Sequence, residues 1–210
     1  SQHPEGPRVL LGHSMGALLA RDYATRHGDI DALVLSGTPA NKGLIGAAGK
    51  ALASALVKSY GARSTATVMN RLSFGSFNAA FKPTRTDFDW LSRDAAEVDA
   101  YVADPLCGFV CTNQFYVDLL GGLARVNTPK IVKKTPSSLP VLLLAGSLDP
   151  AGGQRTARMV TQLYKKAGVK KISSVVYPEA RHELFHETNR EKVFADLVAW
   201  LGKLDQKGKR

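Results

Sequence analysis

Three features of the sequence predict an α/β fold, with a mostly parallel sheet of about four strands and an inserted helical block. Two apolar runs, Ala32-Leu33-Val34-Leu35 and Val141-Leu142-Leu143-Leu144-Ala145, show no polar alternation, as expected of strands buried on both faces of a parallel sheet. Helical segments separate these and the other strand candidates, the pattern that builds strand–helix–strand units. Between the two runs, from about Asn41 to Pro136, no buried strand is recognisable, and a helical interval of that length far exceeds an ordinary connection. The expected organisation is therefore a core in two parts, residues 1–38 and 137–210, around a helical cap inserted at residues 39–136.

The first strand candidate, Arg8-Val9-Leu10-Leu11, runs into Gly12-His13-Ser14-Met15-Gly16, and Ala17 to Ala24 continues with helical composition. Strand, sharp turn and helix are the setting that gives a G-x-S-x-G sequence its meaning as a nucleophile elbow. A tight turn brings backbones together, so a β-carbon at Gly12 or Gly16 is expected to clash. The helix should end at His27-Gly28, with Gly28 as a left-handed cap and His27 near the negative pole of the dipole. The Ala32 run is closed by Gly37-Thr38-Pro39.

In the insertion, Leu44 to Tyr60, Ser92 to Val102 and Phe109 to Arg125 read as helices, and Phe74 to Leu91 as a loop rich in aromatics. After the Val141 strand comes Ser147-Leu148-Asp149-Pro150, then a helix from about Gln154 to Ala167 closed by Gly168. The last strand is Ile172 to Tyr177, followed by the loop Glu179-Ala180-Arg181-His182-Glu183. A final helix from about Asn189 to Leu204 should bury Val193, Leu197, Val198, Trp200 and Leu201.

The chain has 210 residues, enough for one sizeable core and an insertion. Its hydrophobic fraction of 44% and charged fraction of 22% are those of a globular protein. No run approaches the roughly 20 apolar residues of a membrane span, and no charged-then-apolar leader opens the chain. Ser1 in place of an initiator Met suggests a processed, truncated or engineered start. The two cysteines, Cys107 and Cys111, are too few for a disulfide framework and are expected as buried free thiols on a helix, which suits a reducing, cytoplasmic setting.

The net charge is +10, gathered at Lys133-Lys134, Lys165-Lys166, Lys170-Lys171 and the tail Lys203, Lys207, Lys209, Arg210. These read first as solvated faces, and as a surface that suits peripheral contact with anionic lipid. No nucleic-acid motif accompanies them, so nucleic acid is not an expected partner.

A serine hydroxyl becomes a nucleophile when a base takes its proton, and the base needs a carboxylate to fix its tautomer. The sequence has five histidines. His3 lies at the chain end, His13 points across the turn away from Ser14, and His27 has a capping role. Of His182 and His186, His182 lies in the loop just after the last strand, at the carboxyl edge where open α/β sheets build their sites, and is the expected base. Asp149, just past the Val141 strand, is the expected acid. The Met15 N–H, at the helix start, is placed to donate to an oxyanion. His182-Glu183-Leu184-Phe185-His186 also matches the H-E-x-x-H zinc pattern, which requires a helix that presents both imidazoles to one metal. Here the sequence follows a strand and Pro178, with no third ligand downstream, so a zinc hydrolase through His182 and His186 is the remote alternative. Neither a cofactor nor a metal is expected.

With these residues in place the chain resembles the bacterial α/β-hydrolases related to monoacylglycerol lipases and lysophospholipases. The resemblance covers Gly12 to Gly16, Phe74 to Asn78, Arg85-Thr86-Asp87-Phe88-Asp89-Trp90-Leu91-Ser92-Arg93-Asp94, Asp104 to Phe109, Gly146 to Pro150 and Arg181-His182-Glu183. It implies Ser14 as nucleophile, Asp149 as acid, His182 as base, the Met15 N–H as one oxyanion donor, and carboxylic esters with an acyl chain under the cap as substrates. The order Ser, Asp, His is that of this family.

Two departures stand out. Ala17 replaces a usual Gly, and the part of the fold that normally precedes the elbow strand, with its second oxyanion donor, is expected to be missing from this chain. The Val9–Leu11 strand is therefore expected to have a bare edge, covered by a companion N-terminal segment or a second copy. The alternative function is a catalytically weak, hydrolase-like lipid or partner binding module.

Overall fold

The computed structural model describes residues 6–40 and 43–205. Ser1, His3, Asn41 and the tail residues Lys207, Lys209 and Arg210 lie outside the described residues. The chain runs β1 (Val9–His13), α1 (Met15–Arg26) and β2 (Ala32–Ser36). It continues with α2 (Leu44–Tyr60), α3 (Thr67–Phe74), a 3-10 helix (Phe77–Phe81), α4 (Ala95–Ala103), α5 (Asn113–Val126) and α6 (Pro129–Val132). Then follow β3 (Val141–Gly146), α7 (Gln154–Lys166), β4 (Ile172–Tyr177), a second 3-10 helix (Leu184–His186) and α8 (Arg190–Asp205). The strands form one parallel sheet in the order β1-β2-β3-β4.

The non-alternating runs are explained by what covers each face. Leu33, Leu35, Val141 and Leu143 point to one side and pack with Ala17, Ala20 and Ala24 of α1 and Val160 and Tyr164 of α7. Val34, Leu142, Leu144 and Tyr177 point to the other and meet Leu184 and Val193. Each fully buried Leu or Val is worth about 1.5–3 kcal/mol, so the central strands β2 and β3 anchor the fold. β1 is covered less well. Among the described residues it pairs with β2 alone, and Leu11, in register with Val34, is 43% exposed.

The helices between β2 and β3 bury small clusters of their own. Ala53, Ala66, Met69 and Tyr116 form one; Phe77, Trp90 and Leu91 form another. Leu44 and Ile45 of α2 stand almost fully in solvent.

Several local expectations need correction. Gly28 is not a left-handed cap: α1 ends at Arg26, and His27 caps it in extended conformation. Gly12 does need its missing side chain, because a β-carbon there would collide with the Gly16 carbonyl and lie 2.8 Å from Ala17 Cα, but one at Gly16 would meet nothing within 4 Å. The turn closes onto Gly12, while Gly16 already faces out from the first turn of α1.

Cys107 and Cys111 are not helical and not fully buried. α4 ends at Ala103 before Pro105, and Gly108 at φ 68° turns the chain into a loop. α3, within a stretch given no helix from sequence, owes its place to Met69 in the tyrosine cluster. Val198 is 66% exposed, because Val193, Leu197 and Trp200 already form the buried stripe of α8. Among the described residues no helix is long and apolar enough to cross a membrane.

Candidate active site

The loops leaving β1 and β4 at their carboxyl ends line one cavity, and the loop leaving β3 brings Asp149 to His182. Ser14 occupies the single residue between β1 and α1, with φ 51° and ψ −117°. A side chain held in that region costs on the order of 1–3 kcal/mol, which the surroundings must offset. They do so through the Ser14 N–H, which donates to the Ser36 carbonyl at 2.9 Å, and the Ser14 carbonyl, which accepts from the Ala17 N–H at 3.1 Å. The strained turn leaves Ser14 lining the cavity. Met15 opens α1, and the N–H groups of a first helical turn have no partners within the helix.

His182 lines the same cavity. Its side chain is 3% exposed, and its Nδ1 lies 2.9 Å from Oδ2 of the fully buried Asp149 carboxylate. The two atoms are at contact distance but out of line for a hydrogen bond, and neither has another aligned partner. Such pairs commonly tighten when substrate binds. Asp149 is fixed through its other oxygen, which accepts from the Ala151 N–H at 2.7 Å. With Nδ1 facing the carboxylate, Nε2 of His182 is the nitrogen left to act as a base.

The approach of these groups depends on glycines. A β-carbon at Gly37 (φ 55°) would sit 3.0 Å from Cε1 and 3.1 Å from Nδ1 of His182, and 3.2 Å from Cε1 of His13. One at Gly146 would strike the Ala180 and Arg181 carbonyls behind the base loop.

The cavity holds about 660 Å³ and is lined by Ser14, Phe74, Trp90, Tyr101, His182 and Glu183 among others. Trp90 stacks obliquely on His182, with ring centroids 5.1 Å apart. Both cysteine thiols line it as well, and burial pushes both up from their ordinary value. Higher values mean less thiolate and lower reactivity at neutral pH.

Sequence reasoning missed what holds the loop that carries His182 in place. The Glu183 N–H donates to the Leu91 carbonyl at 2.7 Å. The Glu187 carboxylate is fully buried. Its Oε1 accepts from the Arg181 N–H at 2.9 Å and the Arg93 N–H at 3.1 Å. Its Oε2 accepts from Arg93 Nε and from the Thr188 N–H, both at 2.9 Å. Arg181 in turn donates to the Asp89 and Ser92 carbonyls and lies over the Phe81 ring. The segment 89–93 is thus tied to the base loop by a buried carboxylate that no sequence pattern marks out.

His13 was also underestimated. Its Nδ1 meets Ser36 Oγ at 3.2 Å and its Nε2 meets Glu183 Oε1 at 3.0 Å, and its ring lies 4.7 Å from that of His182. Burial alone would raise the Glu183 carboxyl. The hydrogen bond from His13 and the neighbouring charges of His13, His182 and His186 outweigh it and bring the group down to about 2. His186 ends a 3-10 helix of three residues, its side chain is 57% exposed, and it lies 3.5 Å from Glu183. The H-E-x-x-H residues therefore do not lie along one α-helix, and the compact His/Glu grouping found among the described residues is His13, His182 and Glu183.

A parallel sheet with a strained serine turn after β1, and a His of the β4 loop that lines the same cavity and is backed by an Asp of the β3 loop, defines the chain as an α/β-hydrolase. Residues 1–189 match the Hydrolase_4 family model, described as serine aminopeptidase, S33, and the chain belongs to that family.

Among curated relatives, it is 29% identical over 209 residues to a monoacylglycerol lipase of Mycolicibacterium smegmatis, covering 96% of this chain and 64% of the relative. It is also 29% identical over 199 residues to the human monoglyceride lipase, covering 89% of this chain and 58% of the relative. The chain thus spans less than two thirds of the length of these relatives. A thermostable carboxyl esterase of Bacillus coagulans superposes with a TM-score of 0.84 at 22% identity, covering 98% of this chain and 66% of that one. For the monoacylglycerol lipase of Paleococcus ferrophilus the score is 0.70 at 23% identity, covering 97% and 71%. At these identities the structural likeness is one of fold.

Proposed function

We propose that this chain carries the reaction centre of a carboxylic ester hydrolase that acts on lipid-like esters, such as a monoacylglycerol, a lysophospholipid or a short-chain ester. The observation that carries the reading is the buried Asp149–His182 pair, of which His182 lines one cavity with Ser14 at its strained turn. In this scheme His182 Nε2 takes the Ser14 hydroxyl proton as Oγ attacks the ester carbonyl, and the Met15 N–H donates to the resulting oxyanion. The alkoxide leaves with the proton held by His182, forming an acyl-enzyme on Ser14. Water, deprotonated by the same imidazole, releases the acid. Asp149 stabilises the imidazolium in both steps.

The cavity favours an acyl chain because Phe74, Trp90, Leu106 and Phe109 line it, and the helical block at 39–136 acts as the cap. The relatives named above, lipases and esterases, point the same way. Two thiols without disulfide partners suit a reducing compartment such as the cytoplasm, and the basic surface suits contact with anionic lipid.

A second reading, weak turnover with lipid or partner binding, is favoured by the edge of β1 that has no strand partner among the described residues. That edge is a template for another segment, from a companion or a second copy. Hydrolysis of a series of 4-nitrophenyl esters and monoacylglycerols, with Ser14→Ala as control, separates the readings. Turnover well above that control supports the first, and ligand binding without turnover supports the second. Light scattering reads the edge: a monodisperse monomer without a companion peptide contradicts its being covered.

A further inference from the structure

We propose that His13, His182 and Glu183 form a binding site for a zinc ion that occupies the imidazole of His182 and so silences the site described above. One ring nitrogen from each imidazole and a Glu183 carboxylate oxygen lie within 4.8 Å of one another. His13 Nε2 and Glu183 Oε1 are already 3.0 Å apart. Two ligands of a tetrahedral zinc, each bound at the usual distance, stand about 3.3 Å apart, so this pair needs to open only slightly to admit the ion.

A second polar group stands beside each ring. Ligating histidines nearly always present one nitrogen to the metal and the other to a carboxylate or another polar group that fixes the ring. Nδ1 of His182 faces Asp149, and Nδ1 of His13 faces Ser36 Oγ. Both rings are thereby left with Nε2 for an ion. His13, when neutral and donating from Nε2 to Glu183, must move that proton to Nδ1, where Ser36 Oγ accepts it; a protonated His13 releases one proton to solvent. Glu183 supplies a carboxylate oxygen beside the two imidazoles. Both His182 and Glu183 line the cavity, which gives the ion an entry path and a fourth position open to water.

The grouping differs from the H-E-x-x-H reading, because it takes His13 from the elbow in place of His186. Silencing rests on the proposed hydrolase chemistry, but binding does not, so binding is the quantity to measure. Calorimetry of the full chain with zinc chloride should show one ion per chain, removable by a chelator. Affinity should fall tenfold or more in His13→Gln and in Glu183→Gln and stay within twofold in His186→Ala. Nitrogen-15 NMR of the histidines in the unsubstituted chain removes any dependence on how the variants fold: zinc should shift Nε2 of His13 and His182 and leave His186 unmoved. Absence of binding, binding that survives both substitutions, or zinc shifts on His186 in place of His13 would overturn the proposal. In an active enzyme, zinc should also suppress ester turnover; a chain without turnover would still give the binding result.

Discussion

Replacing Glu187 by Ala tests how the base loop is held. The wild-type carboxylate is fully buried and accepts from three backbone N–H groups, those of Arg93, Arg181 and Thr188, and from the Arg93 guanidinium. Removing it leaves Arg93 without its buried counter-ion and the Arg181 and Arg93 amides without acceptors. Breaking a buried pair in this way costs about 3–5 kcal/mol, a large share of the roughly 5–15 kcal/mol that keeps a domain folded. For a chain of this size each kcal/mol moves the midpoint by about 2–4 °C, so Tm should fall by roughly 6–20 °C in a far-ultraviolet circular dichroism melt. Glu187→Gln should lose less, since an amide oxygen can still serve the Arg181 and Arg93 amides while its NH2 faces Arg93 Nε. A fall in Tm of less than about 3 °C for the Ala variant would refute the claim that this carboxylate fastens the segment 89–93 to the loop that carries His182.

The remaining predictions concern the elbow, the acid and the histidine cluster. Gly12→Ala should fail to fold or lose most of its stability, because its β-carbon meets the Gly16 carbonyl, whereas Gly16→Ala meets nothing and should keep or gain up to about 1 kcal/mol; paired urea titrations read both. Asp149→Asn should leave the melt nearly unchanged and lower kcat for ester hydrolysis by about 10³–10⁴-fold, because the base then favours the wrong tautomer. Glu183 has a folded-state value near 2, below its ordinary 4.5. Its contribution to stability is therefore fully present above about pH 4.5 and is lost as the pH falls toward 2. Between about pH 5 and pH 3 the wild type should lose roughly 1–3 kcal/mol more than Glu183→Gln in urea unfolding.

Periodicity made the sheet legible. β2 and β3 are buried at every position, and their short apolar runs, bounded by turn residues, have the length of a strand rather than of a helix. Gly12-His13-Ser14 was legible because a tight turn requires glycine where backbones touch. Gly16 shows the limit of that argument, since the sequence does not say which of two glycines carries the close contact. Cys107 and Cys111 were misplaced because their spacing looks helical, whereas Pro105 and Gly108 decide the backbone there. The buried Glu187 and the His13–Glu183 pair were invisible, because a charged side chain reads as surface until the segment that covers it is known. In both cases that segment comes from a distant part of the chain: residues 89–93 for Glu187, the β1 elbow for Glu183.

The central claim, that Ser14 is a nucleophile served by His182 and Asp149, is tested most directly by covalent labelling with a fluorophosphonate. The folded chain should gain one phosphonyl adduct in intact mass, mapped to the peptide that contains Ser14. Ser14→Ala should gain none, and His182→Ala should label far more slowly. Folded wild-type chain that takes up no label, or takes it up on a serine other than Ser14, would contradict the claim.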